Sequence, residues 1–566
     1  MTSPSLPAGL RLESLEVGAA PLVRHFLRRL DLSGLFDRHL PPLPGRQPAL
    51  SSSVTLTVLL TNLLLARQPL YAIPAWVARR VPEHIGLLPE HIALLNDDRF
   101  GRALDHLQRA DRASLLTAVV LHAVRVFAID MTEFHQDTTT VTFHGVYDDQ
   151  EPADKTDRPP RITFGYNKDH RPDLKQLLYS ITITADGAVP VHCKIYDGNT
   201  SDDQVHIETW NYLYAIIGHA NYLYVADSKL CTRENMGHIA SRHGRFLTVM
   251  PRTRGEDAWF RQHVQTNPID WQEVHREANP RRRNGSEVVY HGLESPRLSS
   301  EGYRVLWYRS SQKQEQDRHI RQQRLERANA RLQALRDAGR DYDTPERALE
   351  VGQRIVQDEQ VERWLIVGYE ETVEQEYQQV GPGRPGPNTE YRRVEKRRYK
   401  VELKQDTEAL RGEALCDGLF PLMTNEKTLS LNEALLKYKY QPFVEKRHEQ
   451  LKSVFGVTPM WLKNVGRVES MLWLYYVVEL LQALLEREVR KRMAAEELPS
   501  LKLYPEKRDC AAPTAELVFD ALAGHRRHRL LDEQGQELRR FHDPVSDVAE
   551  ELLELLEVDR APYGLS

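Results

Sequence analysis

Apolar positions fall at helical spacing from residue 12 to about residue 127. Leu22, Phe26, Leu27 and Leu30 mark one amphipathic helix expected to end near Gly34, and the uncharged run 54–65 marks a buried one. A proline-rich loop over residues 40–48 separates them. Asn96, Asp97 and Asp98 precede Phe100, Ala103 and Leu107 as a capped helix start. The period then changes to that of strands. Residues 127–134 alternate and are expected to deliver Asp137 at or near a strand end. Residues 177–184 and 189–195 flank Asp186-Gly187, which predicts a hairpin. Val205, Ile207, Trp210, Leu213 and Ile216 predict a helix over 203–217 with Ser201 as its candidate cap, and residues 223–226 form a short apolar strand ending just before Asp227. Strand, hairpin, helix and strand in that order predict a mixed α/β core with functional groups at strand ends.

Between about 251 and 415 the pattern is irregular and rich in charge. Leu325, Ala328, Leu332 and Leu335 recur at helical spacing in a polar segment, which reads as an exposed helix or a short coiled hairpin. Residues 361–369, 401–403 and 419–424 are strand-like, with a Gly/Pro loop at 381–386. Residues 429–453 and 467–495 read as helices, and the tail from Leu517 reads as mostly helical and acidic. The expected organisation is therefore a helical N-terminal domain (1–125), with DNA-end recognition as a candidate task that helicity alone does not establish, the first part of an α/β core (126–250) and an insertion with strands and a charged helix (251–415). The second part of the core (416–500) and an acidic helical C-terminal region (501–566) follow.

Composition changes this picture little. The 566 residues are 41% hydrophobic with a net charge of -5, enough for several cores but not a uniformly basic surface. Charge is uneven, however. Residues 229–254 carry six Lys or Arg against one Glu, residues 391–400 six against one, and residues 532–560 three against ten acids. The first two segments could face DNA and the third could not, although charge runs are as often solvated faces. Cys193, Cys231, Cys416 and Cys510 form no close pair, which fits a reducing compartment. Arg11 and Glu13 interrupt any apolar leader, so a cytoplasmic location is expected. The apolar stretches 49–66 and 471–485 read as buried helices: the first holds six Ser or Thr and Asn62, the second is short and broken by Glu479.

Cutting a phosphodiester requires an oriented nucleophile and neutralised charge, which two divalent ions held by carboxylates from separate elements can supply. Asp137 and Asp227 qualify by position, each following an apolar strand, although either could simply cap a turn or helix. A third carboxylate is needed from a helix, and periodicity does not choose it. His170 lacks a His or Cys companion, and Asp197, Asp202 and Asp203 offer an alternative metal cluster, although turn and cap formation explains them.

The segment YKYQPFVEKRHEQLK sets Tyr438, Gln441, Glu445 and Lys452 at the spacings of a Tyr-x2-Arg-x3-Glu-x6-Lys signature. With HQDTTTVTFHGVY around Asp137, GYNKDHRPDLKQ from Gly165, YVADSKL around Asp227, LNDDRFGRALD and DGLFPLMTN, most of the chain resembles the DDE transposases of bacterial insertion sequences. The resemblance implies a ribonuclease H-like core and a metal triad of Asp137, Asp227 and Glu445 binding two Mg²⁺ ions, with Mn²⁺ as a substitute. It also implies strand cleavage at the ends of the chain's own element, transfer to target DNA, and a homodimer in the DNA complex. Tyr438, Gln441, Lys452, Lys168, Arg171 and Lys175 are the implied DNA contacts. Glu449, four residues beyond Glu445, is an outer-layer candidate or a solvent ion-pair partner. Gln441 stands where the signature has Arg and cannot make a charged bidentate phosphate contact, so Lys446 or Arg447 would have to supply charge. Two rivals share these features: a stand-alone metal-dependent nuclease, and a DNA-binding descendant without chemistry.

Overall fold

The chain was described from a computed structural model covering residues 9–45, 48–147, 158–279, 285–457, 462–504 and 506–565; residues 46 and 47 of the expected proline-rich loop lie outside it. Two compact units result, Met1–Thr248 with Leu436–Ser566, and Val249–Leu435.

The first unit opens with a strand where helix was expected, β1 (Arg11–Glu16). The single helix expected to reach Gly34 is two, Ala20–Arg29 and Leu32–His39. Asp31 sits between them in the left-handed region at φ 47° and holds Arg38 at 2.7 Å, so the apolar stripe turns a corner rather than stopping. The uncharged helix Ser52–Leu65 is capped by Ser51, and Asp97–Gln108 is capped by Asn96, whose side chain accepts from the Arg99 N–H. Helix Arg112–Phe127 takes in the start of the expected strand 127–134 and stops at Ala128, another left-handed residue.

Five strands follow: β2 (Glu133–Phe143), β3 (Lys175–Thr184), β4 (Pro190–Asp197), β5 (Leu223–Ala226) and β6 (Arg245–Val249). Their spatial order is β4-β3-β2-β5-β6. β3 runs antiparallel to both β2 and β4, whereas β5 runs parallel to both β2 and β6. The helix Val205–Ile217 connects β4 to β5; its cap position is Gln204, after a short turn of 3-10 helix, and Ser201 makes no side-chain cap.

In the second unit β7 (Gln272–Ala278), β8 (Glu287–Glu294) and β9 (Arg304–Ser310) form a meander. The long helix Ser311–Asp337 buries Arg321, Ala328 and Leu332, packs Leu325 and Leu335 partly buried beside Ala328, and is elsewhere mostly polar. β10 (Leu365–Gln379) and β11 (Tyr391–Gln405) make a 15-residue antiparallel ribbon, far longer than residues 361–369 and 401–403 suggest, because charged pairs such as Arg397–Glu371 carry the ladder where apolar alternation ends. β12 (Leu419–Thr424) pairs with β9, and Asp417 just before it receives a buried bidentate bond from Arg321 at 2.6 and 2.7 Å.

Helix Leu431–Tyr438 leads from the second unit into the first, where helices Pro442–Glu449 and Val465–Ala495 follow. Val465–Ala495 is long and apolar enough to cross a membrane, yet 94% of its apolar window is buried within the protein. It lies against the β3–β4 hairpin: the Tyr179 hydroxyl donates to Glu479 at 3.1 Å and the Tyr476 hydroxyl to the Pro190 carbonyl at 3.2 Å. Burial pushes the Glu479 carboxyl up to about 8. The tail is helical only in part: helices Ala515–Leu522 and Asp547–Leu555 flank a hairpin of β13 (Arg526–Leu531) and β14 (Glu537–His542), and β13 pairs with β1. The strands are too polar for alternation to reveal them, and backbone pairing rather than a buried face defines the sheet.

Arg447, on helix Pro442–Glu449, binds the Ala188 carbonyl, Gln450 and, at 3.1 Å, Glu486 of the long helix, with both partners of the ion pair about 5% exposed. It is thus a clamp and supplies no charge to a ligand. Arg447→Met is expected to lower stability by about 3–5 kcal/mol by leaving Glu486 short of its counter-charge, measured as a shift of the denaturant midpoint; an unchanged midpoint would contradict the clamp.

Candidate active site

The parallel ladder between β2 and β5 ends with Gln136 opposite Ala226. Asp137 and Asp227 are therefore the next residues on neighbouring strands, level with one another and on the same face. Asp137 is not at a strand end as expected: β2 runs on to Phe143, paired with β3 alone, so Asp137 stands mid-strand where its other neighbour stops. Asp137 accepts the Thr138 N–H at 2.7 Å and Asp227 the Lys229 N–H at 2.9 Å, which fixes one oxygen of each.

Helix Pro442–Glu449 lies over that face. Gln441 enters it buried, its carbonyl oxygen 3.2 Å from His135 Nδ1 and its NH₂ donating to the Gln136 carbonyl at 2.8 Å. His135 in turn meets Glu133, which also holds Lys437. Gln441 is thus a strut between helix and strand, and the expected DNA contact is corrected: a buried amide with both ends bonded does not reach a phosphate, and a guanidinium there would be a buried charge.

Beyond Gln441 the helix carries Glu445, exposed but within electrostatic reach of Asp137. Three carboxyls are pushed above their ordinary range. Burial is the first cause in each; repulsion from Asp202 adds to it at Asp137, from Asp137 and Asp202 at Asp227, and from Asp137 at Glu445. The Tyr438 hydroxyl is pushed up to about 12 by burial and then by all three acids, so the tyrosine belongs to the cluster. His448, which the motif reading missed, lies 3.7 Å from Asp137, and its imidazole is pushed down to about 3 by burial and by Lys168 and Lys452. It is one turn beyond Glu445, a spacing that could have flagged it.

The segment from Gly165 arrives at the same place. Gly165 has no room for a Cβ, which would stand 2.0 Å from the Gly198 carbonyl, and Asn167 and Gln176 lock the loop with a 2.8 Å bond. Lys168 is thereby delivered to Thr138, whose carbonyl and hydroxyl accept from its ammonium at 2.6 and 2.7 Å, and to Asp202 at 3.1 Å and Asp137 at 3.7 Å. Lys452 is held by Asp169 at 2.7 Å on a π-helical turn, Gln450–Val454, that follows the Glu445 helix. The Arg171 guanidinium pairs with Asp173. Lys175 binds the Val146 carbonyl and lies over the ring of Phe164, which is exposed together with Tyr166. The sequence candidates thus divide: Asp137, Asp227, Glu445, Tyr438 and Lys168 are brought together, Lys452 borders them, Arg171 and Lys175 lie on the exposed side of the loop, and Gln441 is internal.

As a set of hard oxygen donors at adjacent positions, the three acids fit a divalent cation. Their side chains are not converged on one point, and among the described residues no three His, Cys, Asp or Glu groups stand at ligating spacing. The Lys168 ammonium, lodged between Asp137 and Asp202, supplies positive charge in this arrangement.

Residues 12–121 match a family model described as a domain of unknown function (DUF4277). No curated protein matches the chain. Among solved structures, a piggyBac transposase synaptic complex with hairpin DNA is similar at 7% identity and a TM-score of 0.37, over 89% of this chain and 78% of that one. A likeness that distant transfers neither residues nor chemistry.

Because the site acids have raised values in the fold, stability is lost as pH rises from the ordinary carboxylate range through those values. Asp227→Asn keeps the acceptor for Lys229 and removes a repelling charge. It is expected to raise the melting temperature of the metal-free protein by about 2–4 °C near neutral pH, with the gain shrinking on acidification. A lower melting temperature would mean that the acids are stabilised where they are.

Proposed function

We propose that this chain is a transposase of a bacterial insertion sequence, with a ribonuclease H-like core in which Asp137, Asp227 and Glu445 hold two Mg²⁺ ions, replaceable by Mn²⁺. The observation that carries this reading is the level pair Asp137 and Asp227 at the end of a parallel ladder, overlaid by the helix that brings Glu445 within electrostatic reach of Asp137. The five-strand order and the close electrostatic grouping of these acids with Tyr438 support it.

When bound, such ions activate a water or a 3′ hydroxyl and neutralise the phosphate under attack. The protein's own side chains have complementary tasks. Asp137 and Asp227 fix the inner edge of the site on rigid strands, while Glu445 closes it from the helix. The β2–Gln441 strut and the Arg447 clamp hold that helix against the sheet. Tyr438 keeps its proton at physiological pH and so offers a hydroxyl donor beside the acids. On the outer side, Arg171, Lys175 and the exposed rings of Phe164 and Tyr166 form a basic and aromatic surface suited to a strand's phosphates and bases, with Lys452 at its border. DNA ends of the chain's own element and target DNA would be its partners, joined in a homodimer, in the bacterial cytoplasm. Gln441 gives no support to a degenerate descendant, since its neutral amide suits its buried place.

Purified protein with Mg²⁺, labelled element ends and a plasmid target is expected to give joined product, and Asp137→Ala and Glu445→Ala are expected to abolish it. Cleavage without joining would favour a stand-alone nuclease. Joining that survives both substitutions would overturn the assigned site.

A further inference from the structure

The turn after β4, with Asp197, Asp202 and Asp203, looks in sequence like a run of turn formers. In the fold its acids separate. Asp197 is taken up by Arg158 at 2.6 and 2.9 Å and by the Arg161 N–H at 2.8 Å, and Asp203 by the Ser201 hydroxyl. Asp202 alone faces the active site, 3.1 Å from the Lys168 ammonium. Lys168 is not a free surface cation. Its three N–H groups are met by the Thr138 carbonyl at 2.6 Å, the Thr138 hydroxyl at 2.7 Å and Asp202, which leaves Asp137 at 3.7 Å, attracted but beyond hydrogen-bond length. The loop that brings it is pinned where Gly165 and Gly198 pass backbone to backbone: a Cβ on Gly198 would stand 1.9 Å from the Gln176 carbonyl.

We infer that Lys168 is a resident counter-cation, tethered by Thr138 and Asp202, that neutralises Asp137 while no divalent ion is present and opposes its arrival, with Asp202 as the positioning residue that keeps the ammonium off Asp137 once the ion is in place. The inference rests on the metal site proposed above. Its physical basis is competition for one carboxylate. A divalent ion and an ammonium beside Asp137 repel each other across a half-buried site, so one weakens the other. Asp202 lets the ammonium be retained without being bonded to Asp137, and it also adds negative charge around the entering ion. Lys168 is then set against metal loading rather than being simply a phosphate contact, and its removal strengthens metal binding where removal of a DNA contact would leave it unchanged.

The test uses full-length protein without DNA and Mn²⁺ as the probe, followed by calorimetry and by melting temperature. Wild type is expected to bind Mn²⁺ in a manner that Asp137→Asn abolishes. Lys168→Met is expected to bind Mn²⁺ about tenfold more tightly while melting lower than wild type in the metal-free form. Asp202→Asn is expected to bind about tenfold more weakly, and that loss is expected to shrink in the Lys168→Met background, because part of it acts through the lysine. Lys168→Met affinity equal to or below wild type, or an Asp202→Asn loss that is the same in both backgrounds, would overturn the inference and leave the metal site standing. Wild-type protein that binds no Mn²⁺ sensitive to Asp137→Asn would overturn both.

Discussion

Two aspartates, one within β2 and the other just past the end of its parallel neighbour β5, stand level about 5 Å apart at the backbone, and at that separation two charges repel by about 3 kcal/mol at the effective dielectric usual for a protein site. A third acid, Glu445, adds to the load. Against a typical net stability of about 5–15 kcal/mol this is a substantial cost, and much of the surrounding structure is arranged to bear it. The loop from Gly165 is folded tightly enough to bring an ammonium to Thr138 and Asp202. The Glu445 helix is fastened at one end by the Gln441 strut and along its length by Arg447, so that the backbone bearing the third carboxylate is held against the sheet. Local instability confined to such a cluster is what a site built for a cation looks like before the cation is bound.

The long helix Val465–Ala495 has the complementary role. It carries polar groups in the interior, but each meets protein: Glu479 with Tyr179, Glu486 with Arg447, and Arg487 with Asp186 and the carbonyls of Phe127 and Ala128. These bonds tie the β3–β4 hairpin, the end of helix Arg112–Phe127 and the Glu445 helix to one element. The geometry at Asp137 is thereby set by packing some distance away from it, on elements more rigid than loops.

The α/β core was legible in the chain wherever apolar period and turn chemistry agreed: residues 223–226, the Asp186-Gly187 hairpin, residues 419–424 and the Asn96 cap all emerge as read. Failures cluster where backbone pairing or a single left-handed residue decides. β1, β13 and β14 are polar strands in a small sheet, the β10–β11 ribbon outruns its apolar part, and Asp31 splits a helix whose stripe is continuous. At the site, the place of Asp227 followed from the apolar strand before it, whereas Asp137 stands within β2 rather than after a strand over 127–134, and Glu445 had to be taken from the signature. Asp202 and His448 were hidden for another reason. One belongs to a turn and the other to a helix with acids and bases all around it, and only tertiary register brings either to Asp137.

The central claim is that Asp137, Asp227 and Glu445 are ligands of divalent cations, and the most direct test is an anomalous difference map from crystals of the protein soaked in Mn²⁺. The account predicts density at the end of the β2–β5 ladder, with carboxylate oxygens of Asp137 and Asp227 drawn in to about 2.1–2.2 Å and Glu445 turned towards the ion. Clear Mn²⁺ density elsewhere, or none at this cluster while both aspartates remain level and accessible, would contradict it.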